Sequence, residues 1–251
     1  MPVADSDIVC YGSANIPETN GVTSGGAIDT SCKVTFTDIA ATDSVKAVSS
    51  NAGDTTQVIT ITGRDASGAI VEEDINLNGT TLSAATSQTF ERILKIEMDD
   101  TAAGTVTISR NTGGTTIATL EAGITTIRRL FYGATADASG GSSRSFYEKF
   151  FIKNNHGTLA VTSASITEYA DPSTYVTFDL EDAKDDNNSV ANRLNTAPTG
   201  MLGSFDNSDK NVPGGNLGPG EAIGIFLKLT LAAGTSPSKN VWSPKLLGTT
   251  T

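Results

Sequence analysis

Histidine is almost missing from this chain of 251 residues, with His156 the only one. Any Ser-His-Asp relay must use it as the base, and a histidine-rich metal centre has no second ligand. Cysteine is limited to Cys10 and Cys32, which excludes a disulfide framework and a thiolate metal cage. In a reducing cytoplasm the pair is expected as two part-buried thiols. Aromatic residues make up 6% of the chain, with one tryptophan, so stacked sugar platforms have little to build on. No apolar run approaches the ~18 residues of a membrane span. The opening MPVADSDIVCYGS has neither a basic nor an apolar leader region, and no secretory signal is expected. Basic residues are also outnumbered. Residues 1–132 carry 16 acids against 8 bases and the remainder 12 against 9, giving a net charge of −11. With no basic stripe to neutralise phosphates, nucleic-acid binding is not expected.

What is abundant is Thr, Ser and Gly between short Val/Ile runs, a composition that predicts an all-β protein. Residues 1–32 read as an extended N-terminal arm with one short strand at Ile8–Tyr11. Strand signals become regular from Lys33–Ile39 and Ser44–Ser49. Gln57–Gly79 predicts a hairpin that turns at Arg64–Gly68, with Ile59 and Ile61 sharing a face and Val71, Ile75 and Leu77 returning. Phe90, Leu94, Ile96 and Met98 share a face, and Gly104–Arg110 with Thr115–Leu120 predicts a second hairpin. Ile124–Phe131 closes this half. Residues 133–144 (GATADASGGSSR) read as a linker.

Ser145–Tyr169 then predicts a third hairpin about Asn154-Asn155-His156-Gly157, with Phe146, Phe150 and Ile152 on one face. Leu159 and Val161 are out of phase with Ala164 and Ile166, which predicts a β-bulge near Thr162–Ser163. Tyr175–Leu180 is a strand, and Glu181–Arg193 supports at most a short helix. Asn195–Gly220 reads as a long surface loop. Ile223, Ile225, Leu227, Leu229 and Leu231 alternate strictly, and a last strand is expected near Val241–Trp242. The expected architecture is two tandem antiparallel β-sandwiches of jelly-roll or Ig-like type, 33–132 and 145–251.

Candidate chemistry is sparse. His156 fits a turn residue better than a base, and no G-x-S-x-G elbow accompanies it. Asp179–Asp186 and Asp206–Asn211 are acidic enough to suggest calcium, but Lys184 and Lys210 stand where oxygen ligands should be. Glu72-Glu73-Asp74 and Asp99-Asp100 read as exposed charges. The glycine pairs Gly25-Gly26, Gly113-Gly114, Gly140-Gly141 and Gly214-Gly215 lack any Walker context and read as turns. No catalytic, cofactor-binding or metal-binding residue is assigned, no cofactor is expected, and the chain is read as a non-enzyme.

Three stretches carry a family resemblance. They are the opening MPVADSDIVCYGSANIPE with SGGAIDT, the run SSNAGDTTQVITITGRDASGAIVEEDINLNGTT, and FYEKFFIKNNHGTLAVTSASI paired with VPGGNLGPGEAIGIFLKLTLAAGTSP. Together they resemble virion structural proteins of tailed bacteriophages, more narrowly the head decoration or capsid cement proteins. The resemblance implies no catalytic residues. It implies a β-rich subunit on the capsid surface that cements capsomers by contacting the major capsid protein and other copies of itself, as a possible trimer. Assembly would take place in the bacterial cytoplasm, with no membrane partner. Met1–Ser31 and Asn195–Gly220 are the segments expected to make the contacts. Alternatives are a tail or neck component of the same virion, or a host-glycan adhesion module using Tyr11, Tyr132 or Phe205.

Overall fold

The computed structural model describes residues 2–170, 175–236 and 241–250. Its first strands are β1 (Ile8–Asn15), β2 (Ser24–Lys33), β3 (Val45–Ser49), β4 (Val58–Arg64), β5 (Ile70–Asn76) and β6 (Arg92–Met98). Then come β7 (Val106–Arg110), β8 (Thr116–Leu120), β9 (Thr126–Arg128), β10 (Arg144–Asn154), β11 (Val161–Ala170) and β12 (Val176–Lys184). The series ends with β13 (Ser189–Val190), β14 (Lys210–Asn211), β15 (Asn216–Leu217), β16 (Ala222–Leu231) and β17 (Ser243–Thr250). The protein is all-β, built mostly from antiparallel pairings, and β2 meets β9 in a short parallel contact. Two compact units form, one of residues 30–129 and one of residues 1–29 with 130–251. These divisions differ from the expected domain limits at 32/33, 132/133 and 144/145. The 133–144 stretch falls inside the second of these units.

In the 30–129 unit, β9, β6, β4 and β5 lie side by side, and β3, β7 and β8 form a second sheet. The β4–β5 and β7–β8 hairpins form as the sequence predicts. Gly68 supplies the positive φ (84°) that closes the first turn. Ile59, Ile61, Phe90, Ile96, Val106, Ile108 and Leu120 are fully buried. The alternation expected from Phe90 to Met98 is interrupted. A bulge opposite Thr62–Gly63 buries Ile93 as well as Leu94, and Phe90 packs over Gly63, where a Cβ would lie 2.5 Å from its ring. Lys33–Ile39 is not a strand beyond Lys33. Thr37 donates instead to the Ile117 carbonyl, and the Phe36 ring lies 4.3 Å beneath the Arg129 guanidinium.

In the other unit the central strand is β10, buried without a break from Phe146 to Ile152. A strand buried on both faces needs a partner along each edge and cover above and below. β16 fills one edge and β1 the other, with Tyr11 opposite Phe151. The segment expected to be an arm therefore contains two strands, and β1 belongs to this sheet.

The predicted 145–169 hairpin does not form. β11 pairs with β14, β15 and β17 in a separate sheet, so residues 155–160 arch from one sheet to the next. Buried Asn154 holds the arch, its amide donating to the carbonyls of Leu159 (2.8 Å) and Leu217 (3.1 Å). The bulge is where the phase slip places it. The β11–β17 register shifts between Thr162 and Ser165, and Ser163 adopts φ 51°.

Three further expectations change. No helix forms over 181–193, because β12 runs on to Lys184 and β13 follows. The 195–220 segment is not a free loop: it lies along β11 and β12, burying Val212 and Leu217. β16 is buried on both faces from Ala222 to Leu227, whereas Leu229 and Leu231 are half-buried. The last strand begins at Ser243, just after Trp242, whose ring packs against Phe178 and Phe150.

Candidate functional site

His156 sits in the arch as a backbone clamp. Its Nδ1 accepts from the amides of Thr158 (3.1 Å) and Leu159 (3.0 Å), and its own amide donates to Asn154 Oδ1. The lone pair a general base would use at Nδ1 is thus engaged locally.

The acidic runs are scattered rather than convergent. Asp206 accepts from Ser208 and lies 2.8 Å from Lys210 Nζ, which hold its carboxyl well below the usual carboxylate range. Asp179 points inward. Burial pushes it up despite amide donors from Leu180 and Gly203, both at 2.9 Å. Asp179 also lines an open depression of about 340 Å³ together with Leu202, Gly203, Ser208 and Lys210. Among the described residues no group of three or more His, Cys, Asp or Glu side chains converges as a metal ion requires. No disulfide joins Cys10 to Cys32.

Glu73 proves to be a loop anchor, accepting from the amides of Ser87 (2.8 Å) and Gln88 (2.7 Å). The candidate sugar-stacking aromatics Tyr11 and Phe205 are engaged internally. Buried Tyr11 accepts from Asn155 Nδ2 through its hydroxyl, and Phe205 packs edge-on against Tyr147 at 5.4 Å.

The concentrated chemistry lies elsewhere, in two adjacent residues of β10 that the sequence reading passed over. Glu148 and Lys149 are both fully buried, and strand alternation sends them to opposite faces. Glu148 pairs with Arg193, itself fully buried, and its second oxygen accepts from the Phe131 amide at 2.8 Å. Arg193 also donates to the carbonyls of Pro17 (2.8 Å) and Glu18 (3.3 Å).

On the other face Lys149 Nζ lies 2.5 Å from Glu181 Oε1, and both side chains are inaccessible to solvent. Nζ also donates to the carbonyls of Gly26 (3.0 Å), Asp186 (3.1 Å) and Asn188 (3.3 Å). The Phe151 and Phe226 rings stand 4.5 Å and 5.5 Å from it. Burial raises the Glu181 carboxyl to about 7 and lowers the Lys149 amine. A signal for these residues was present in SFYEKFF: a charged pair inside a run of aromatics on both strand faces has no solvent side to occupy.

No helix among the described residues is long and apolar enough to cross a membrane. Compared with protein-family models, with curated proteins and with solved structures, the chain matches none of them.

Proposed function

We propose that this chain is a non-enzymatic structural subunit of a tailed-phage virion, bound to the outer capsid surface and cementing neighbouring capsomers. On this reading each unit is a β-sandwich, its two sheets packed around one apolar core. The observation that carries the proposal is the internal use of the buried charge. Glu148–Arg193 and Lys149–Glu181 tie strands and loops of one body together instead of lining an open cleft. A subunit repeated over a shell needs such rigidity, because symmetry multiplies weak contacts only when the contacting surfaces hold their shape. The acidic exterior suits copies that must stay apart until they meet the shell.

The contact surface shifts from the expected arm to the outer face of β11 and β17. Beyond the bulge Ala164 and Ile166 point into the core, while Tyr169 is 73% exposed; on β17 the side chains of Lys245 and Leu247 are exposed. The major capsid protein and neighbouring copies of this chain, as a possible trimer, are the proposed partners. The site is the virion surface, with assembly in the bacterial cytoplasm.

The test is immunogold electron microscopy of particles from an infected-cell lysate, with antibody against the purified chain. Label across the heads is the expected result. Label confined to the neck or tail moves the protein to the tail or neck class. Unlabelled particles, with the epitope shown accessible, overturn the virion reading and make a glycan array the next experiment. Tyr169→Ser combined with Leu247→Ser should leave folded protein that no longer sediments with undecorated heads.

A further inference from the structure

We propose that Lys149 Nζ and Glu181 Cδ are the two ends of an intramolecular amide cross-link, formed by condensation of the amine with the carboxyl group. The inference rests on the packing around these two side chains and is independent of the virion reading.

β10 and β12 are not neighbours, since β16 lies between them. Two side chains reaching over an intervening strand are normally separated by that strand's own side chain. Here that position is Gly224, opposite Phe151 on β10. A Cβ on Gly224 would collide with Glu181 Oε2 and lie 2.8 Å from Lys149 Cε. The glycine leaves the space in which amine and carboxyl meet, and any other residue would separate them.

The surroundings favour condensation over a conventional ion pair. Both groups are inaccessible to water, and Phe151 and Phe226 wall the amine. Glu181 Oε2 is buried without a hydrogen-bond partner, whereas both oxygens of Glu148 are engaged. A carboxylate held by one oxygen in an apolar pocket is poorly compensated. Burial drives Glu181 toward its protonated form and Lys149 toward the free amine, the two species that react.

The neutral amine donates its hydrogens to two of the three carbonyls around it, from Gly26, Asp186 and Asn188, which directs the remaining lone pair toward Glu181. Nζ forms a bond to Cδ and the Cδ–Oε2 bond breaks. Oε2 departs with its own proton and one from nitrogen, as water. Nothing is oxidised or reduced, and the amide keeps one N–H for a carbonyl acceptor. Holding the two groups in contact provides the high effective concentration that such a step requires. The neighbouring pair cannot react this way, because an arginine guanidinium does not give up its proton in a protein.

The experiment is intact-mass spectrometry of the purified, denatured full chain, followed by tryptic mapping. The expected mass falls short of the sequence mass by one water. Trypsin should not cut after Lys149, and a branched peptide should contain both residues. Lys149→Arg and Glu181→Ala should each restore the full mass of its own sequence. If either variant does not fold, the wild-type map still decides. Full wild-type mass, with cleavage after Lys149 and the Glu181 peptide recovered unmodified, overturns the proposal and leaves a buried ion pair.

Discussion

Arg193→Met tests whether the interior of the 1–29/130–251 unit depends on its buried charges. The substitution keeps most of the side-chain volume but strips Glu148 of its counter-ion, leaving the Phe131 amide at 2.8 Å. It also releases the carbonyls of Pro17 and Glu18. Removing one partner of a buried pair costs about 3–5 kcal/mol, mostly from the stranded charge. For a protein of this size each kcal/mol moves Tm by roughly 2–4 °C, so the expected fall is about 6–20 °C. Adding Glu148→Gln removes the stranded charge while keeping an oxygen for the Phe131 amide. The double variant should therefore be more stable than Arg193→Met alone, with a coupling of about 2 kcal/mol. Urea denaturation followed by tryptophan fluorescence is the assay. The only tryptophan, Trp242, packs on Phe178 at 5.4 Å and reports this unit. A loss below about 1 kcal/mol for Arg193→Met, with no recovery in the double variant, would refute the claim that this charge is desolvated and paired.

Other expectations are independent of that pair. Gly63→Ala places a methyl group 2.5 Å from the Phe90 ring and 2.7 Å from the Arg92 carbonyl, and overpacking should cost about 1–3 kcal/mol in thermal unfolding. Ser163→Val forces a β-branched residue to φ 51° and should lower Tm, whereas Ser163→Gly should not. The hydroxyl of Ser49, then the amides of Ala103 and Gly104, hold the Asp54 carboxyl below its ordinary 3.8. A depressed folded pKa stabilises above the unfolded value and is lost as pH falls through the folded one. Tm should thus fall as pH drops below about 3.8, and Asp54→Asn should flatten that acid limb while lowering Tm at neutral pH. If wild type and variant keep parallel profiles, Asp54 is not the group responsible.

Legibility in the sequence followed the range of the deciding interaction. The β4–β5 hairpin was readable because its alternation and its Gly68 turn are both local. The bulge at Thr162–Ser165 was readable because a phase slip within one strand needs no partner to be seen. The 145–169 hairpin was misread for a related reason. Two apolar strands joined by a polar turn fit a hairpin or an arch equally well. The choice was made by Ile8–Gly12 and Ala222–Leu231, which occupy both edges of β10 from far along the chain. The buried pairs were harder still, since Lys149 and Glu148 find their partners 32 and 45 residues downstream. Glu181 itself lay in the acidic run Asp179–Asp186, weighed as a calcium candidate.

The placement of β1 beside β10 has a consequence for biosynthesis. Asn15 leaves the ribosome 129 residues before Arg144, the first residue of its partner strand (144 − 15 = 129). At roughly 5–20 residues per second the nascent β1 waits on the order of ten seconds with the edge that β10 will cover still open. In that interval residues 30–129 are complete and free to fold by themselves. Vectorial synthesis thus imposes an order, inner segment first and flanking segments afterwards, that refolding from denaturant does not. On crowded polysomes, the waiting strand of one nascent chain is an available mate for the β10 of another.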